Sequence, residues 1–159
     1  MSKGSLADAL TREHREIDKG IEQFVEALDR GKVEVDPLLG SIEALRRHIY
    51  LEEAFLFPPL RQIGLTMPVM VMLREHGELW SQMDEVVRLL KGTSAGSDRA
   101  EIEAKCRGLL AMLGQHNMKE EPIIYPHADA DLPTNTTAEL EAFLETGSTP
   151  PSWVCEGAR

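Results

Sequence analysis

Two stretches of the chain carry one pattern of residues, HIYLEEAFLFP at positions 48–58 and HNMKEEPIIYP at positions 116–126. In each copy a glutamate follows the histidine by four residues, which places both side chains on one face of a helix, one turn apart. The pairs are His48 with Glu52 and His116 with Glu120. This spacing predicts two helices that each present an imidazole and a carboxylate in the same direction.

A shorter repeat precedes each copy, REHRE at residues 12–16 and REHGE at residues 74–78. It adds His14 to the first half of the chain and His76 to the second. The offsets between the halves are 62 residues for the short repeat and 68 residues for the long one. The chain is therefore predicted to contain two helical hairpins, whose side chains can assemble a pseudo-twofold site in a bundle core.

Apolar residues recur at steps of three and four along four long segments, which is the period of one helix face. The segments run over about residues 6–28, 36–57, 68–90 and 97–125. Links of roughly 5 to 10 residues return the chain beside the helix that it has just left. No stretch alternates as a strand does, so the fold class is predicted to be all-α, an up-down-up-down four-helix bundle.

Breaks in the helical pattern divide the chain. The linker at residues 92–96 consists of glycine and small residues, and Ser97 is placed to cap the fourth helix. We predict a bundle over residues 1–133, followed by a short C-terminal helix and an irregular tail over residues 134–159. The tail is expected either to pack on the bundle or to trail from it.

Four of the five histidines interrupt the apolar faces, one on each predicted long helix. Glu52 and Glu120 lie one turn after two of them. Burying a carboxylate without a partner costs several kcal/mol, and a bound cation offsets that cost. One such histidine alone is more simply explained as a core residue, but the joint pattern predicts a metal site inside the bundle.

The six donor side chains suit two metal ions. If the two glutamates bridge, each metal receives a pair of imidazoles, and bridged metals lie roughly 3.5 to 4 Å apart. Imidazole and carboxylate ligands together favour iron over copper or structural zinc, although manganese and zinc remain possible. Neither Cys106 nor Cys155 belongs to the set, so an iron–sulfur cluster is not expected.

Composition excludes several classes of protein. The 159 residues include 27 acidic and 17 basic side chains, and the formal net charge of −10 disfavours binding to nucleic acid or an anionic membrane surface. The longest apolar run, about residues 67–73, is far shorter than the ~20 residues of a membrane span. The start of the chain leads into an amphipathic pattern rather than a signal segment, and two cysteines are too few for a disulfide framework. We expect a cytoplasmic protein.

The repeated residues resemble those of the hemerythrin-like, or HHE cation-binding, family. The resemblance covers about residues 5–128, and its most specific part is the His-x-x-x-Glu-Glu pattern followed by Phe57-Pro58 in one copy and Tyr125-Pro126 in the other. It implies a four-helix bundle around a non-haem di-iron centre. The ligands that it implies are His14, His48, Glu52, His76, His116 and Glu120.

One departure from the family affects the expected function. Oxygen-carrying hemerythrins place two histidines one turn apart on the third helix, whereas Met72 and Trp80 stand four residues before and after His76. The site then resembles four-histidine, two-glutamate relatives linked to nitric oxide, peroxide and iron–sulfur repair. We expect a protein that binds, senses or reduces dioxygen, peroxide or nitric oxide, with an electron donor if it acts as an iron-dependent oxidoreductase.

Other functions remain open on the sequence alone. The alternatives are an iron store or donor, a protein that repairs damaged iron centres, and a reversible oxygen-binding protein. The repair relatives usually add an N-terminal domain with a cysteine pair, which this sequence does not show, so repair is less expected. A metal-free interaction bundle would leave the inward histidines and glutamates unexplained. The sequence identifies neither a catalytic residue nor the oligomeric state.

Further polar residues lie near the six candidates. Glu53 and Glu121 are expected at a helix boundary or in solvent, with a hydrogen bond to a ligand as the alternative. A solvated face is predicted for Glu13, Glu16 and Glu75. A surface or helix-end position is expected for His127, with metal ligation as the alternative. Packing with an exposed hydroxyl is expected for Tyr50 and Tyr125, with donation of a proton or hydrogen bond near the site as the alternative. The remaining expectations are an inert core position for Cys106, a reactive thiol at Cys155 if it is exposed, and a helix kink at Pro122.

Overall fold

The computed structural model describes residues 5–92 and 99–159, and all regular structure within these ranges is helical. This confirms the all-α class, while the up-down-up-down order stays a prediction. Residues 1–4, the predicted linker after Gly92 and the predicted cap at Ser97 lie outside the described residues. The helices are α1 (Leu6–Asp29), α2 (Asp36–Leu51), α3 (Phe57–Gln62), α4 (Thr66–Gly92), α5 (Arg99–Ile123), α6 (Tyr125–Ala130) and α7 (Thr134–Thr146), with a π-helical segment at Glu52–Leu56 and a 3₁₀ turn at Glu156–Ala158.

Local sequence signals set the ends of the first two helices. The Ser5 hydroxyl caps α1 by accepting a hydrogen bond from the backbone N–H of Asp8. Gly31 follows the helix with a φ of 78°, a conformation that glycine adopts without strain. Pro37 stands in the first turn of α2, where its missing N–H would have no helical partner.

The histidines form a polar layer between two hydrophobic clusters. The larger cluster lies among α1, α2, α4 and α5, and the smaller one includes residues of α3, α6 and α7. On α1, for example, Leu10 belongs to the smaller cluster and Ile17 to the larger one, and His14 lies between them in sequence. The same order holds on α4, where His76 lies between Leu73 and Leu79. The apolar side chains above and below therefore shield this layer from water.

Both copies of the long repeat interrupt regular α-helix near their glutamates. In the first copy the chain turns through the π-helical segment Glu52–Leu56 before α3 begins. In the second copy α5 continues through Pro122 to Ile123, and α6 begins at Tyr125. The halves thus differ locally, while the helix kink at Pro122 stays a prediction. π-Helical segments are common at functional sites.

The C-terminal part packs on the long helices. The Arg47 guanidinium donates to the backbone carbonyls of Phe143, Leu144 and Gly147. Trp153 packs edge-on against Trp80, with ring centroids 5.5 Å apart. Of the two expectations for the tail, the contacts agree with packing rather than trailing, while the division at residue 133 stays a prediction. No helix in the described ranges is both long and apolar enough to cross a membrane.

Two glycines allow the tail to touch α4. A Cβ atom at Gly77 would lie 2.6 Å from the carbonyl oxygen of Gly157, so an alanine there would push the tail away. We predict that Gly77→Ala lowers the free energy of unfolding by about 1–3 kcal/mol. Because Cys155 is buried in the same tail, its thiol should also react faster with a thiol reagent. Urea unfolding and thiol titration measure the two effects.

Gly114→Ala is the matched control for this substitution. A Cβ atom at Gly114, in α5, would meet no heavy atom within 4 Å. Alanine should therefore stabilise the protein there by roughly 0.5–1 kcal/mol, the ordinary helix preference. Unchanged unfolding and thiol reactivity in Gly77→Ala would show that the tail does not depend on this close contact.

Candidate metal centre

The six predicted residues lie in one buried cluster, supplied by four helices and the π-helical segment that extends α2. None is more than 4% exposed, and both glutamates are fully buried. Two groups of four can each hold a cation, because their donor atoms lie within 4.8 Å of one another. One group contains His14, His48, Glu52 and Glu120, and the other contains Glu52, His76, His116 and Glu120. Both carboxylates therefore belong to both groups.

Each shared carboxylate directs one oxygen to each group. For Glu52, Oε2 lies 3.2 Å from Nε2 of His48, and Oε1 lies 3.1 Å from Nε2 of His76. For Glu120, Oε1 lies 3.1 Å from Nε2 of His14, and Oε2 lies 3.3 Å from Nε2 of His116. All four histidines thus present Nε2, and two bridging carboxylates in this arrangement can serve a pair of neighbouring cations.

Four further glutamates orient the histidines from outside. In every case the imidazole Nδ1 lies 2.8 Å from a carboxylate oxygen, and an N–H there donates to the carboxylate. The pairs are His14 with Glu121, His48 with Glu13, His76 with Glu53 and His116 with Glu75. Such a hydrogen bond leaves Nε2 as the metal-binding atom and makes it more basic.

The expectations for these outer glutamates need correction. Glu13 and Glu75 were predicted on a solvated face, and this is wrong because both reach across to a histidine of a neighbouring helix. Glu53 and Glu121 do lie near helix ends, and Glu121 is partly exposed, but both also make the alternative hydrogen bond to a histidine. Only Glu16 is exposed as expected.

The outer carboxylates follow the internal repeat. Glu13 and Glu75 each precede a histidine of the short repeat, whereas Glu53 and Glu121 each follow a glutamate of the long repeat. The repeat was therefore the sequence signal that could have identified all four. Other groups anchor three of them: the Arg47 guanidinium donates to Glu13, the Lys119 ammonium to Glu75 and the backbone N–H of Glu156 to Glu53.

The carboxylates dominate the electrostatics of the cluster. Burial alone would lower the pKa of His48, but the charge of Glu52 and the hydrogen bond that His48 donates to Glu13 raise that pKa to about 10. The pKa of His76 is likewise raised well above its usual value despite burial, because the nearby carboxylates of Glu120 and Glu52 and the hydrogen bond to Glu53 favour the protonated ring. Burial raises the pKa of Glu120, yet His116 and its other histidine neighbours hold that pKa well below the usual range. In the metal-free cluster the carboxylates thus favour the protonated forms of His48 and His76, and the histidines favour the ionised form of Glu120.

Unpartnered polar atoms show that the cluster fits a cation. Oε1 of Glu52, Oε2 of Glu120 and Nε2 of His76 are buried and find no hydrogen-bond partner among the described residues. Nε2 of His76 lies close to Oε1 of Glu52, but the two atoms are not aligned as a hydrogen bond. Buried polar atoms without partners destabilise a fold unless something satisfies them. A cation beside His76 and His116 would satisfy all three atoms.

The matched family agrees with this geometry. Residues 5–128 match the family described as the hemerythrin HHE cation binding domain. The chain belongs to this family. No curated protein and no solved structure matched the chain in the same comparisons. The expected resemblance is therefore confirmed over the same residues, and it covers every donor atom in the two groups of this HHE domain.

Tyr125 also belongs to the cluster, which was the alternative expectation for it rather than the favoured one. Its hydroxyl, predicted to be exposed, is buried and lies 2.7 Å from Oε2 of Glu52 and 3.0 Å from Oε1 of Glu120. Burial, together with these two carboxylates, raises the pKa of Tyr125 well above its usual value. A tyrosine beyond a break in the helix could not be assigned to the inner face from periodicity.

The remaining candidate residues lie outside the cluster. His127 pairs with Asp131 near the surface, as expected, and Tyr50 packs against Phe143 and Trp153. Cys106 is buried in the core, and burial raises the pKa of its thiol to about 12. Cys155 is also fully buried, so the exposure that its expected reactivity required is absent.

We predict that the outer carboxylates tune metal affinity. Glu75→Gln keeps the volume of the side chain but removes the charge that His116 and Lys119 contact. Metal affinity should fall by about 10–100-fold, as is typical when such a partner of a ligand is lost. Competition with a chelator measures the change, and Glu16→Gln, on the exposed part of α1, serves as the control. Equal affinities in the two variants would contradict the role of Glu75.

Proposed function

We propose that this HHE domain holds two iron ions within an up-down-up-down four-helix bundle and uses them to bind, sense or reduce a small oxidant. Dioxygen, peroxide and nitric oxide are the candidate ligands. The observation that supports this best is the pair of shared carboxylates, each with one oxygen toward each histidine pair. The proposed iron ligands are His14, His48, Glu52, His76, His116 and Glu120.

The donor atoms favour iron. Imidazole nitrogen and carboxylate oxygen suit iron, whereas thiolate sulfur, which favours copper(I) and structural zinc, is not part of either group. Manganese and zinc are compatible with the same atoms and are therefore separate outcomes of metal analysis. Four protein donors per position also leave room for an added ligand, because iron commonly takes more than four.

Iron bound here would supply Lewis acidity and one-electron redox chemistry. The protein holds the donor atoms in place through the outer glutamates, so little reorganisation accompanies binding. The two hydrophobic clusters exclude bulk water from the polar layer between them. Both features favour a small, uncharged or weakly charged ligand that can enter without a hydration shell.

A cavity offers an approach from one side. It has a volume of about 250 Å³ and reaches Glu53 and Phe57, which contact Nδ1 and the ring face of His76. Arg61 and Arg159 also line this cavity. We propose that small ligands enter the centre beside His76.

Metal analysis tests the proposal first. Protein loaded with ferrous iron without oxygen and then desalted should contain close to two irons per chain, and one or none would refute a dinuclear centre. Peroxide or nitric oxide is then added with and without a reductant. Repeated turnover would indicate a reductase that uses an electron donor, whereas a single stoichiometric spectral change would indicate binding or sensing. Rapid loss of iron to a weak chelator would instead favour an iron store or donor.

Sensing is favoured by a specific contact. The Glu53 carboxylate accepts from Nδ1 of His76 through one oxygen and from the backbone N–H of Glu156 through the other. A metal ion bound to His76 would therefore alter the contacts of the Glu53 carboxylate, which also holds the C-terminal tail. Protection of backbone amides around Glu156 from hydrogen exchange should rise on iron loading if the centre reports its state through the tail.

A further inference from the structure

The two groups of donor atoms differ in one aromatic residue. Tyr125 and Phe57 occupy equivalent places in the long repeat, each directly before a proline. Both rings stack on a histidine of the short repeat, Tyr125 on His14 with centroids 5.3 Å apart and Phe57 on His76 with centroids 5.4 Å apart. The pseudo-twofold arrangement is thus preserved in the rings, but only one of them has a hydroxyl.

That hydroxyl lies among the donor atoms of one group. Besides its contacts with Glu52 and Glu120, the Tyr125 oxygen lies 2.8 Å from Nε2 of His14 and 2.9 Å from Nε2 of His48. These are the four atoms that would surround a cation in this group. The oxygen is therefore within 3.0 Å of every one of them.

The ring cannot carry the hydroxyl away from this place. Tyr125 is 1% exposed and belongs to the smaller hydrophobic cluster, with one face stacked on His14. Its backbone stands at the first position of α6, next to Pro126, which restricts the chain there. A cation that the four atoms hold must therefore lie in contact with the phenol oxygen.

We propose that Tyr125 is a fifth protein ligand of the iron held by His14 and His48, through its phenolate oxygen, and that the iron held by His76 and His116 has no such ligand. This inference rests on the proposed iron centre. On binding, the O–H bond breaks, the oxygen donates an electron pair to the metal and the proton leaves to solvent, with no change of oxidation state.

The two irons are then chemically different. The His14–His48 position then has five protein donors, whereas the other position has four, because Phe57 has no hydroxyl. The open position is also the one beside the cavity at Glu53 and Phe57. The small oxidant should therefore bind at the iron of His76 and His116.

Spectroscopy of the oxidised, iron-loaded protein tests the ligand directly. A phenolate bound to ferric iron gives a visible charge-transfer band, and excitation in that band enhances the ring vibrations of the bound tyrosine in a Raman spectrum. The chain contains two tyrosines, Tyr50 and Tyr125. We expect Tyr125→Phe to abolish the band and the ring vibrations, and Tyr50→Phe to keep both. Tyr125→Phe should also release one of its two irons to a chelator at least ~10-fold more readily.

The outcomes separate this inference from the proposed function. Two irons per chain without a phenolate band would overturn the tyrosine ligand and leave the di-iron centre intact, whereas absence of bound iron would overturn both. In Tyr50→Phe the only possible source of the band is Tyr125, so this variant decides the question even if Tyr125→Phe does not fold. Tighter iron binding by Tyr125→Phe, without a band in the unmodified protein, would show that the hydroxyl obstructs the position instead.

Discussion

Replacing Glu120 by alanine is expected to remove iron from both positions at once. One oxygen of this carboxylate faces His14 and the other faces His116, so the loss of a single side chain takes a donor from each group. The iron content should fall from two to below one per chain. Elemental analysis after anaerobic loading and desalting measures it, and Glu52→Ala should have the same effect because Glu52 is shared in the same way.

The neighbouring glutamate supplies the control. Glu121→Ala removes the same charge one residue further along, but its carboxylate contacts only the outer nitrogen of His14 among the four histidines. It should weaken binding by the ~10–100-fold typical of an outer partner and leave measurable iron in place. If both variants lose iron equally, the bridging role of Glu120 is wrong.

Stability must be measured beside metal content. Glu120 is fully buried among histidines whose pKa values its charge helps to raise, and removing one partner of a buried ionic network costs roughly 3–5 kcal/mol. Circular dichroism and urea unfolding of the metal-free variants therefore accompany the analysis. Glu120→Gln preserves volume and polarity, so a folded Glu120→Gln protein with two tightly bound irons would contradict the prediction even if the alanine variant is unfolded.

The sequence predicted the inner residues because helical periodicity defines one face of each helix. His14, His48, His76 and His116 interrupt apolar faces whose phase their neighbours establish, and all four are buried in the structure. Glu52 and Glu120 each follow one of these histidines by four residues, so the same helical periodicity places them on the buried face. Helical periodicity predicts only the direction in which a side chain leaves the backbone, not where a long side chain ends.

Helical periodicity did not predict where the carboxylates of the outer glutamates lie. A residue next to an inward histidine is rotated about 100° around the helix, which suggests the flank or solvent. Glu13 nevertheless reaches His48 on the adjacent helix, because its side chain is long enough to extend around the helix to an imidazole nitrogen. For Tyr125 the helix breaks at Ile124, so the phase of α5 cannot be extended to it. Only the internal repeat carried information about these positions.

The stability of the metal-free protein is expected to fall as pH rises above 6.5, and the stabilisation by iron is expected to grow. The pKa of His48 is raised from 6.5 to about 10 in the folded protein. A raised pKa contributes stability that is fully present below the unfolded value and is lost as pH rises through the folded one. Glu120 has the opposite shift, so its contribution is lost only as pH falls below 4.5. The metal-free protein should therefore be most stable between pH 4.5 and pH 6.5.

Bound iron is expected to offset the loss of stability at alkaline pH. A histidine must give up its Nε2 proton before that nitrogen can bind a metal, so each proton released strengthens binding by about 1.4 kcal/mol per pH unit. Iron that binds only the folded state adds its binding free energy to the free energy of unfolding. The difference between iron-loaded and metal-free protein should thus widen steadily between pH 6.5 and about pH 10.

Urea unfolding of metal-free and preloaded protein, both without oxygen, measures this difference at several pH values. His127→Gln is the control, because His127 pairs with Asp131 near the surface and lies outside the cluster. Its profile should match that of the unsubstituted protein. A metal-free stability that stays constant up to pH 10 would mean that Glu13 and Glu52 do not hold a proton on His48. His48 would then not hold an extra proton above its usual pKa, and metal binding would not depend on releasing one from it.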